Sequence, residues 1–151
     1  GWRLGYAILP PALAERVAVQ LMHVIGCAAQ ATQLAALAAL TGPQKEVDAH
    51  VAEYQQRRDL LVNGLNQIPG LSCRKPQGAF YVFPNNRSYR LSSDQMADYL
   101  LEKAGVAVLA GNGFGANGEG YIRLSYCTSE ENIKKCLERI AIALSQLSFK
   151  G

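Results

Sequence analysis

Apolar positions dominate the start of the chain, and their pattern predicts a strand followed by a helix. Residues 2–9 form a short apolar run closed by two prolines, which predicts a buried strand. Pro11 suits the first turn of a helix that runs through Leu21 towards Val24. We expect Gly26 to break this helix.

A second helix is predicted from Gln30 to Leu40, where almost every residue is Ala or Leu, with a stop at Gly42. A helix that is apolar on every side is core material. We therefore expect it to be buried, and its packing partners need not come from this chain.

The longest periodic segment runs from Pro43 to Ile68 and is closed by Pro69-Gly70. Arg58 occupies the one skipped position of its apolar stripe, where its stem can cover apolar surface. A helix of about 26 residues would be about 39 Å long, which suits a connection between two lobes. The stripe consists of Val47, Val51, Tyr54, Leu61, Leu65 and Ile68.

The rest of the chain alternates short strands with capped helices, in the order β-β-α-β-β-α, which predicts a compact α/β lobe that folds by itself from residue 69 onward. Ser92-x-x-Gln95 and Thr128-x-x-Glu131 have the spacing of capping boxes, and Gly105 is expected to end the first of the two helices. The predicted strands are 71–74, 79–83, 106–109 and 120–126, and the apolar face of the last helix is Ile133, Cys136, Leu137, Ile140, Leu144 and Leu147.

Composition narrows the function classes. The chain has 151 residues, of which 49% are apolar and 18% charged, with a net charge of +3. It contains no long Lys/Arg run, no apolar stretch long enough to span a membrane and no signal-peptide pattern, so we expect neither a nucleic-acid partner nor a membrane partner. Its four cysteines lie far apart without metal-ligand spacing, which favours buried free thiols in the cytoplasm and no metal site.

Arg123 is the strongest candidate for chemistry. On a strand from Gly120 to Tyr126 it shares a face with Tyr121 and Ser125, and a guanidinium in mid-strand needs an anion or water. Its planar fork suits a carboxylate. From spacing alone, an exposed arginine or an internal ion pair remains the alternative.

The glycine-rich segment 111–120 contains G-x-G-x-x-G at residues 113–118. A dinucleotide-binding loop must open a helix, whereas a strand is predicted after this segment. The sequence therefore favours a strand connection over a nicotinamide site.

Five motifs follow one another along the chain. They are Gly-Trp-Arg-Leu-Gly-Tyr at 1–6, the Ala/Leu helix at 33–43, Pro-Gln-Gly-Ala-Phe-Tyr at 76–81, the Phe-Gly loop at 111–120 and Gly-Tyr-Ile-Arg-Leu-Ser-Tyr at 120–126. Together they resemble the C-terminal half of the fold-type I pyridoxal-phosphate (PLP) aminotransferases of the aspartate aminotransferase group. The family often has Pro-Gly where this chain starts its Gly-rich loop with Ala110-Gly111.

The resemblance implies an α/β fold with three parts. Residues 1–42 would be the tail of the large PLP-binding domain, 43–68 the long interdomain helix and 69–151 the small α/β C-terminal domain.

The resemblance also implies residue roles. Arg123 would bind the substrate's α-carboxylate and Arg3 the PLP phosphate. In the family the Schiff-base lysine precedes the arginine at Arg3, so its place falls before residue 1 and no catalytic residue is expected within the chain. We accordingly expect the chain alone to be inactive, with its six lysines on the surface.

The implied activity is transfer of an amino group between an α-amino acid and a 2-oxo acid, with aspartate or a broad set as substrates, by a homodimeric parent protein. Two alternatives share these motifs. A fold-type I lyase or synthase would be recognised by the upstream site residues, and an aminotransferase-like effector domain of a transcription regulator by an upstream helix-turn-helix.

Overall fold

The computed structural model describes residues 2–148, and the chain divides into two compact units, residues 1–48 and 49–151. The first unit contains helices α1 (Pro11–Val24) and α2 (Gln30–Thr41). Pro11 stands in the first turn of α1, and Gly26 follows that helix with a left-handed φ of +76°. Gly42 caps α2. Both helices confirm the predicted segments.

Residues 2–9 do not form the predicted buried strand. They form no regular secondary structure, and all except Leu9 are exposed. A strand needs a neighbour for its backbone hydrogen bonds. None of residues 2–148 pairs with this segment, so its apolar pattern alone cannot bury it.

Helix α2 exposes the leucines that we expected to be core. Leu34 is 60% exposed, and Leu37 and Leu40 are exposed to a similar degree. No residue of α1 or α2 is fully buried by the described part of the chain. Residues 2–148 therefore do not bury α2, although its helical conformation is present.

Helix α3 spans Lys45–Asn66, which makes it 22 residues long rather than 26. At 1.5 Å per residue it is about 33 Å long. Its apolar stripe divides in two, because Val47 and Val51 are exposed whereas Leu61 and Leu65 are buried. Only the part of the stripe from Tyr54 onward therefore contributes to a core.

The second unit contains a three-stranded antiparallel sheet with the order β1-β3-β2, formed by β1 (Tyr81–Val82), β2 (Leu109–Ala110) and β3 (Ile122–Ser125). The predicted strand at 71–74 is reduced to one bridge between Ser72 and Asn85. The predicted strand at 106–109 begins later and is not buried. Short strands suffice here because helices cover the sheet on one side and supply most of the core.

Two capped helices complete this unit. Helix α4 (Ser93–Tyr99) continues as one π-helical turn, Leu100–Ala104, up to Gly105. It begins with the predicted capping box, in which the Ser92 hydroxyl accepts from the Gln95 amide and the Gln95 side chain accepts from the Ser92 amide.

Helix α5 (Glu130–Leu144) begins one residue later than predicted. Its cap is Ser129, whose hydroxyl accepts from the Asn132 amide, so the predicted box starting at Thr128 is wrong. The Thr128 hydroxyl accepts from the Asn132 side chain instead. The apolar face is confirmed, with Ile133, Ile140 and Leu144 fully buried and Cys136, Leu137 and Leu147 half-buried.

The core of the second unit lies between α3, α5, α4 and the inner face of the sheet. Residues 61–68 of the α3 region belong to it, so the lobe predicted to fold from residue 69 onward lacks part of its core without them. The buried apolar residues include Leu61, Val62, Leu65, Ile68, Val82, Met96, Leu100, Ile122, Leu124, Tyr126, Ile133, Ile140 and Leu144.

The cysteines are all free, but only part of the prediction of buried thiols holds. Cys73 is buried and Cys136 is half-buried, whereas Cys27 and Cys127 are exposed. Burial raises the pKa of the Cys73 thiol to about 11. Within residues 2–148 no helix is long and apolar enough to cross a membrane.

Candidate active site

Arg123 lies in the middle of β3 on the face of the sheet that is turned away from the core. Ile122 and Leu124 point into the core and are buried, whereas Arg123 is only half-buried. The alternation predicted from the sequence is thus confirmed. Successive side chains of a strand point to opposite faces of the sheet, so the residue between two core residues points away from the core.

Two aromatic rings contact the Arg123 guanidinium. Its central carbon is 4.2 Å from the centroid of the Tyr81 ring and 4.2 Å from that of the Phe114 ring. Both distances fall within the range of cation–π attraction, which contributes about 0.5–1 kcal/mol at exposed positions. The two contacts restrict where this long side chain can lie.

The N–H groups of Arg123 form no hydrogen bond or ion pair with any of residues 2–148. The internal ion pair that remained an alternative from the sequence is therefore not made within the described chain. A guanidinium held by rings and without an internal anion presents five donors to a ligand. This arrangement is chemically suited to bind a carboxylate.

The motif Pro76–Tyr81 builds the aromatic side of this site. Its turn includes Ala79 with a left-handed φ of +58°. The Tyr126 hydroxyl donates to the Ala79 carbonyl at 2.8 Å, and the Tyr126 amide donates to the Phe80 carbonyl at 3.0 Å. These two hydrogen bonds hold the turn against β3. Phe80 packs on Tyr81 with ring centroids 4.4 Å apart.

Phe83 and Phe114 are site residues that sequence reasoning missed. Their rings meet edge to face, with centroids 5.6 Å apart and planes at 82°. Phe83 directly follows β1, two residues beyond Tyr81. The period of the predicted strand 79–83 could have indicated that the two rings lie on one face. No local pattern indicates that Phe114, in the Gly-rich loop, reaches this face.

A cavity of about 350 Å³ adjoins the same two aromatic residues, Tyr81 and Phe83. Its remaining lining residues are Arg74, Lys75, Pro76 and Gln77. Lys75 forms an ion pair with Asp59 at 2.8 Å. Hydrogen bonds from Arg58 and then from Lys75 lower the pKa of the Asp59 carboxyl. Two of the residues that line the cavity, Arg74 and Lys75, are therefore cations, and Asp59 balances the charge of Lys75.

Arg3 belongs to the first unit and Arg123 to the second, so the two candidate arginines are on different units. Arg3 is exposed and has a left-handed φ of +55°. It lines a cavity of about 510 Å³ together with Trp2, Leu4, Gly5, Tyr6, Thr32, Ala35, Ala36, Ala39 and Leu40. Among residues 2–148 it has no hydrogen-bond or ion-pair partner.

The Gly-rich loop consists of two short 3-10 turns, Gly111–Phe114 and Ala116–Gly118, and leads into β3. A dinucleotide site would require a helix at this point. The structure therefore confirms that the G-x-G-x-x-G pattern of this loop is a strand connection.

The five motifs and this geometry agree with a comparison to known proteins. Residues 1–140 match the family model for aminotransferase class I and II. The chain belongs to the class I and II aminotransferase family.

Two related sequences are aspartate aminotransferases. The one from Rhizobium meliloti (strain 1021) is 43% identical over 98% of this chain, and the one from Pyrococcus horikoshii is 40% identical over 95% of it. The chain spans 38% and 37% of the lengths of these two aminotransferases.

Solved aminotransferase structures confirm the fold class. The aspartate aminotransferase from Rhizobium meliloti superposes with a TM-score of 0.87 at 41% identity, covering 97% of this chain and 39% of that one. The aromatic aminotransferase from Pyrococcus horikoshii superposes with a TM-score of 0.88 at 38% identity, covering 96% and 39%. The predicted α/β architecture of a fold-type I aminotransferase is thereby confirmed.

Proposed function

We propose that this chain is the carboxylate-binding part of a PLP-dependent aminotransferase that moves an amino group between an α-amino acid and a 2-oxo acid. The observation that carries the proposal is Arg123, a mid-strand guanidinium held by two rings and without an anion among the described residues. The match to the class I and II aminotransferase family supports this interpretation of the Arg123 geometry. The activity is proposed for a whole protein, because the chain spans under two fifths of its relatives.

Arg123 would hold the α-carboxylate of the amino acid through two parallel N–H···O bonds. The rings of Tyr81 and Phe114 would keep the fork oriented and exclude water from one side of the bound substrate. Orienting the carboxylate fixes the direction of the neighbouring Cα–H bond, which is the bond that must lose a proton. The part of Arg123 is thus binding and orientation.

Arg3 fits a role at the phosphate of PLP. It is an exposed cation that has no anion among residues 2–148, and it adjoins a cavity of about 510 Å³. A phosphate group would supply the missing counter-charge. Bound PLP would contribute an electron sink for the carbanion chemistry of amino transfer.

Three further properties belong to the same proposal. Residues 1–42 would be the tail of the cofactor domain, 43–68 the interdomain helix and 69–151 the small domain. The parent protein would be a cytoplasmic homodimer. Its substrates would include aspartate, which the names of several relatives support.

The test replaces Arg123 by lysine in the complete protein. Lysine keeps the charge but loses the fork, so we expect kcat/KM for amino acids to fall by about 10²-fold, or about 3 kcal/mol. The affinity for PLP should barely change, which absorbance titration of the cofactor would measure.

Arg139→Lys is the matched control, because it makes the same exchange at an exposed position on α5. It should leave kcat/KM unchanged. A loss of cofactor affinity in Arg123→Lys with unchanged kcat/KM would assign Arg123 a structural role instead.

A further inference from the structure

The Gly-rich loop closes on itself through its main chain. The Gly111 amide donates to the Tyr121 carbonyl at 2.8 Å. A Cβ added to Gly118 would lie 2.0 Å from the Gly111 carbonyl oxygen, so the two arms of the loop touch with no room for a side chain between them. We call this contact, at residues 111 and 118–121, the neck of the loop.

Ser93 connects the neck to the first turn of α4. It is fully buried, with 0% of its surface exposed. Its hydroxyl donates to the Gly118 carbonyl at 3.3 Å. It accepts from the Gly120 amide at 2.9 Å and from the Tyr121 amide at 3.3 Å. One hydroxyl therefore serves three main-chain groups of the neck.

Side chains around Ser93 hold the neck from further directions. The Glu119 carboxylate accepts from the Ser93 amide at 3.0 Å, and the Glu119 carbonyl accepts from the Arg87 guanidinium at 2.9 Å. The Asn112 side chain donates to the Asp94 carboxylate at 2.6 Å. The loop is thus attached to α4 on both of its arms, at Glu119 within the neck and at Asn112 next to it.

The tip of the loop is open in comparison. Phe114 stands between Gly113 and Gly115, and a Cβ on either glycine would meet nothing within 4 Å. Phe114 is 51% exposed, and the ring contacts recorded for it are with Phe83 and Arg123. Where its ring lies therefore depends on where the neck holds the two arms.

We propose that Ser93 is a positioning residue, which holds the neck of the Gly-rich loop so that Phe114 covers the guanidinium of Arg123. Its importance for catalysis rests on the proposed function of Arg123 as carboxylate anchor. A guanidinium whose orientation is set before the substrate arrives loses less rotational freedom on binding. The position of the ring can be tested without any substrate.

The test uses NMR of the chain labelled with isotopes in arginine. The Arg123 side-chain signals are expected upfield, because the rings of Tyr81 and Phe114 lie against the guanidinium. Phe114→Leu should move these signals downfield, because it removes one ring. Phe114→Tyr keeps a ring and should leave the signals at their wild-type positions. Ser93→Ala should reproduce most of the Phe114→Leu displacement.

Ser92→Ala is the matched control, since it deletes a neighbouring hydroxyl that caps the same helix without touching the neck. It should lower stability and leave the Arg123 signals in place. Folded Ser93→Ala with wild-type Arg123 signals would overturn the proposal. If Ser93→Ala does not fold, Ser93→Cys, which nearly keeps the side-chain volume but bonds only weakly to the neck, must produce the downfield displacement, and its failure to do so would equally overturn the proposal.

Titration with L-aspartate separates this proposal from the proposed function. Ser93→Ala and Phe114→Leu should each weaken binding at Arg123 by about 2- to 5-fold, the size of one exposed cation–π contact. If aspartate does not perturb Arg123 in the complete wild-type protein, the carboxylate role fails. In that outcome the ring displacement in Ser93→Ala still supports the positioning role.

Discussion

Replacing Gly111 by alanine tests whether the neck of the Gly-rich loop is as tight as its backbone contacts indicate. The new Cβ would lie 2.3 Å from the Gly118 carbonyl oxygen and 2.6 Å from that of Tyr121. Both obstacles are main-chain atoms, which cannot rotate away as a side chain can. The arms must therefore separate by roughly 1 Å, since carbon and oxygen need well over 3 Å.

The cost follows from what this separation breaks. The 2.8 Å bond from the Gly111 amide to the Tyr121 carbonyl contributes about 1 kcal/mol. Displacing a well-packed backbone adds about 1–3 kcal/mol. We therefore expect Gly111→Ala to lower the free energy of unfolding of the second unit by about 2–4 kcal/mol. With a urea m-value of about 2 kcal/mol/M, the midpoint should fall by about 1–2 M.

The assay is urea unfolding followed by the NMR methyl signal of Ile140, which is fully buried in the second unit and reports on that unit alone. Gly113→Ala is the control, because its Cβ would meet nothing within 4 Å and its φ is not left-handed. It should change stability by about 1 kcal/mol or less. Equal midpoints for Gly111→Ala and the wild type would refute the tight neck.

Three other predictions concern the rest of the chain. Cys73 should react with iodoacetamide at pH 8 far more slowly than exposed Cys27, because burial raises the pKa of the Cys73 thiol to about 11. For the same reason, the contribution of this thiol to the free energy of unfolding is fully present below pH 9 and is lost as the pH rises through 11. Equal alkylation rates by mass spectrometry would contradict this. Arg90→Gly should stabilise the chain by about 0.5–1 kcal/mol in thermal unfolding, because Arg90 has a left-handed φ of +57° that glycine adopts without strain. A lower Tm would show that contacts of the arginine side chain outweigh the relief of backbone strain. Finally, Ile8 is 91% exposed in a largely apolar segment, so light scattering should show that the full chain self-associates with increasing concentration and that a chain starting at Ala49 does not. A well-ordered full-length monomer, with slow hydrogen exchange in residues 2–42, would contradict the last of these.

The helices could largely be predicted from the sequence because their signals are local. Proline in the first turn of α1, the capping box at Ser92 and the glycines at 42 and 105 act through residues three or four positions away. The alternation around Arg123 is local as well. The error at Thr128 shows the limit of such patterns, since the adjacent Ser129 offers an equally good cap and the backbone decides between them.

Strand extents and burial could not be predicted in this way. Residues 2–9 and the leucines of α2 have an apolar pattern but remain exposed, because burial requires a second surface that a local pattern does not supply. Conversely, Leu61 and Leu65 become core residues of the second unit only because α3 packs there.

The candidate site also has features that local sequence patterns predict and others that depend on tertiary packing. The sequence by itself determined that Arg123 stands on a strand opposite the core, and its motifs identified the family. Only the tertiary structure decided that Tyr81 and Phe114 meet at its guanidinium, with Phe83 packed against Phe114. It also decided that Ser93, some thirty positions earlier in the chain, holds the loop that carries Phe114. The reason is physical: strand alternation follows from the covalent geometry of neighbouring residues, whereas these contacts join distant segments through packing and hydrogen bonds that exist only once the sheet and α4 have come together.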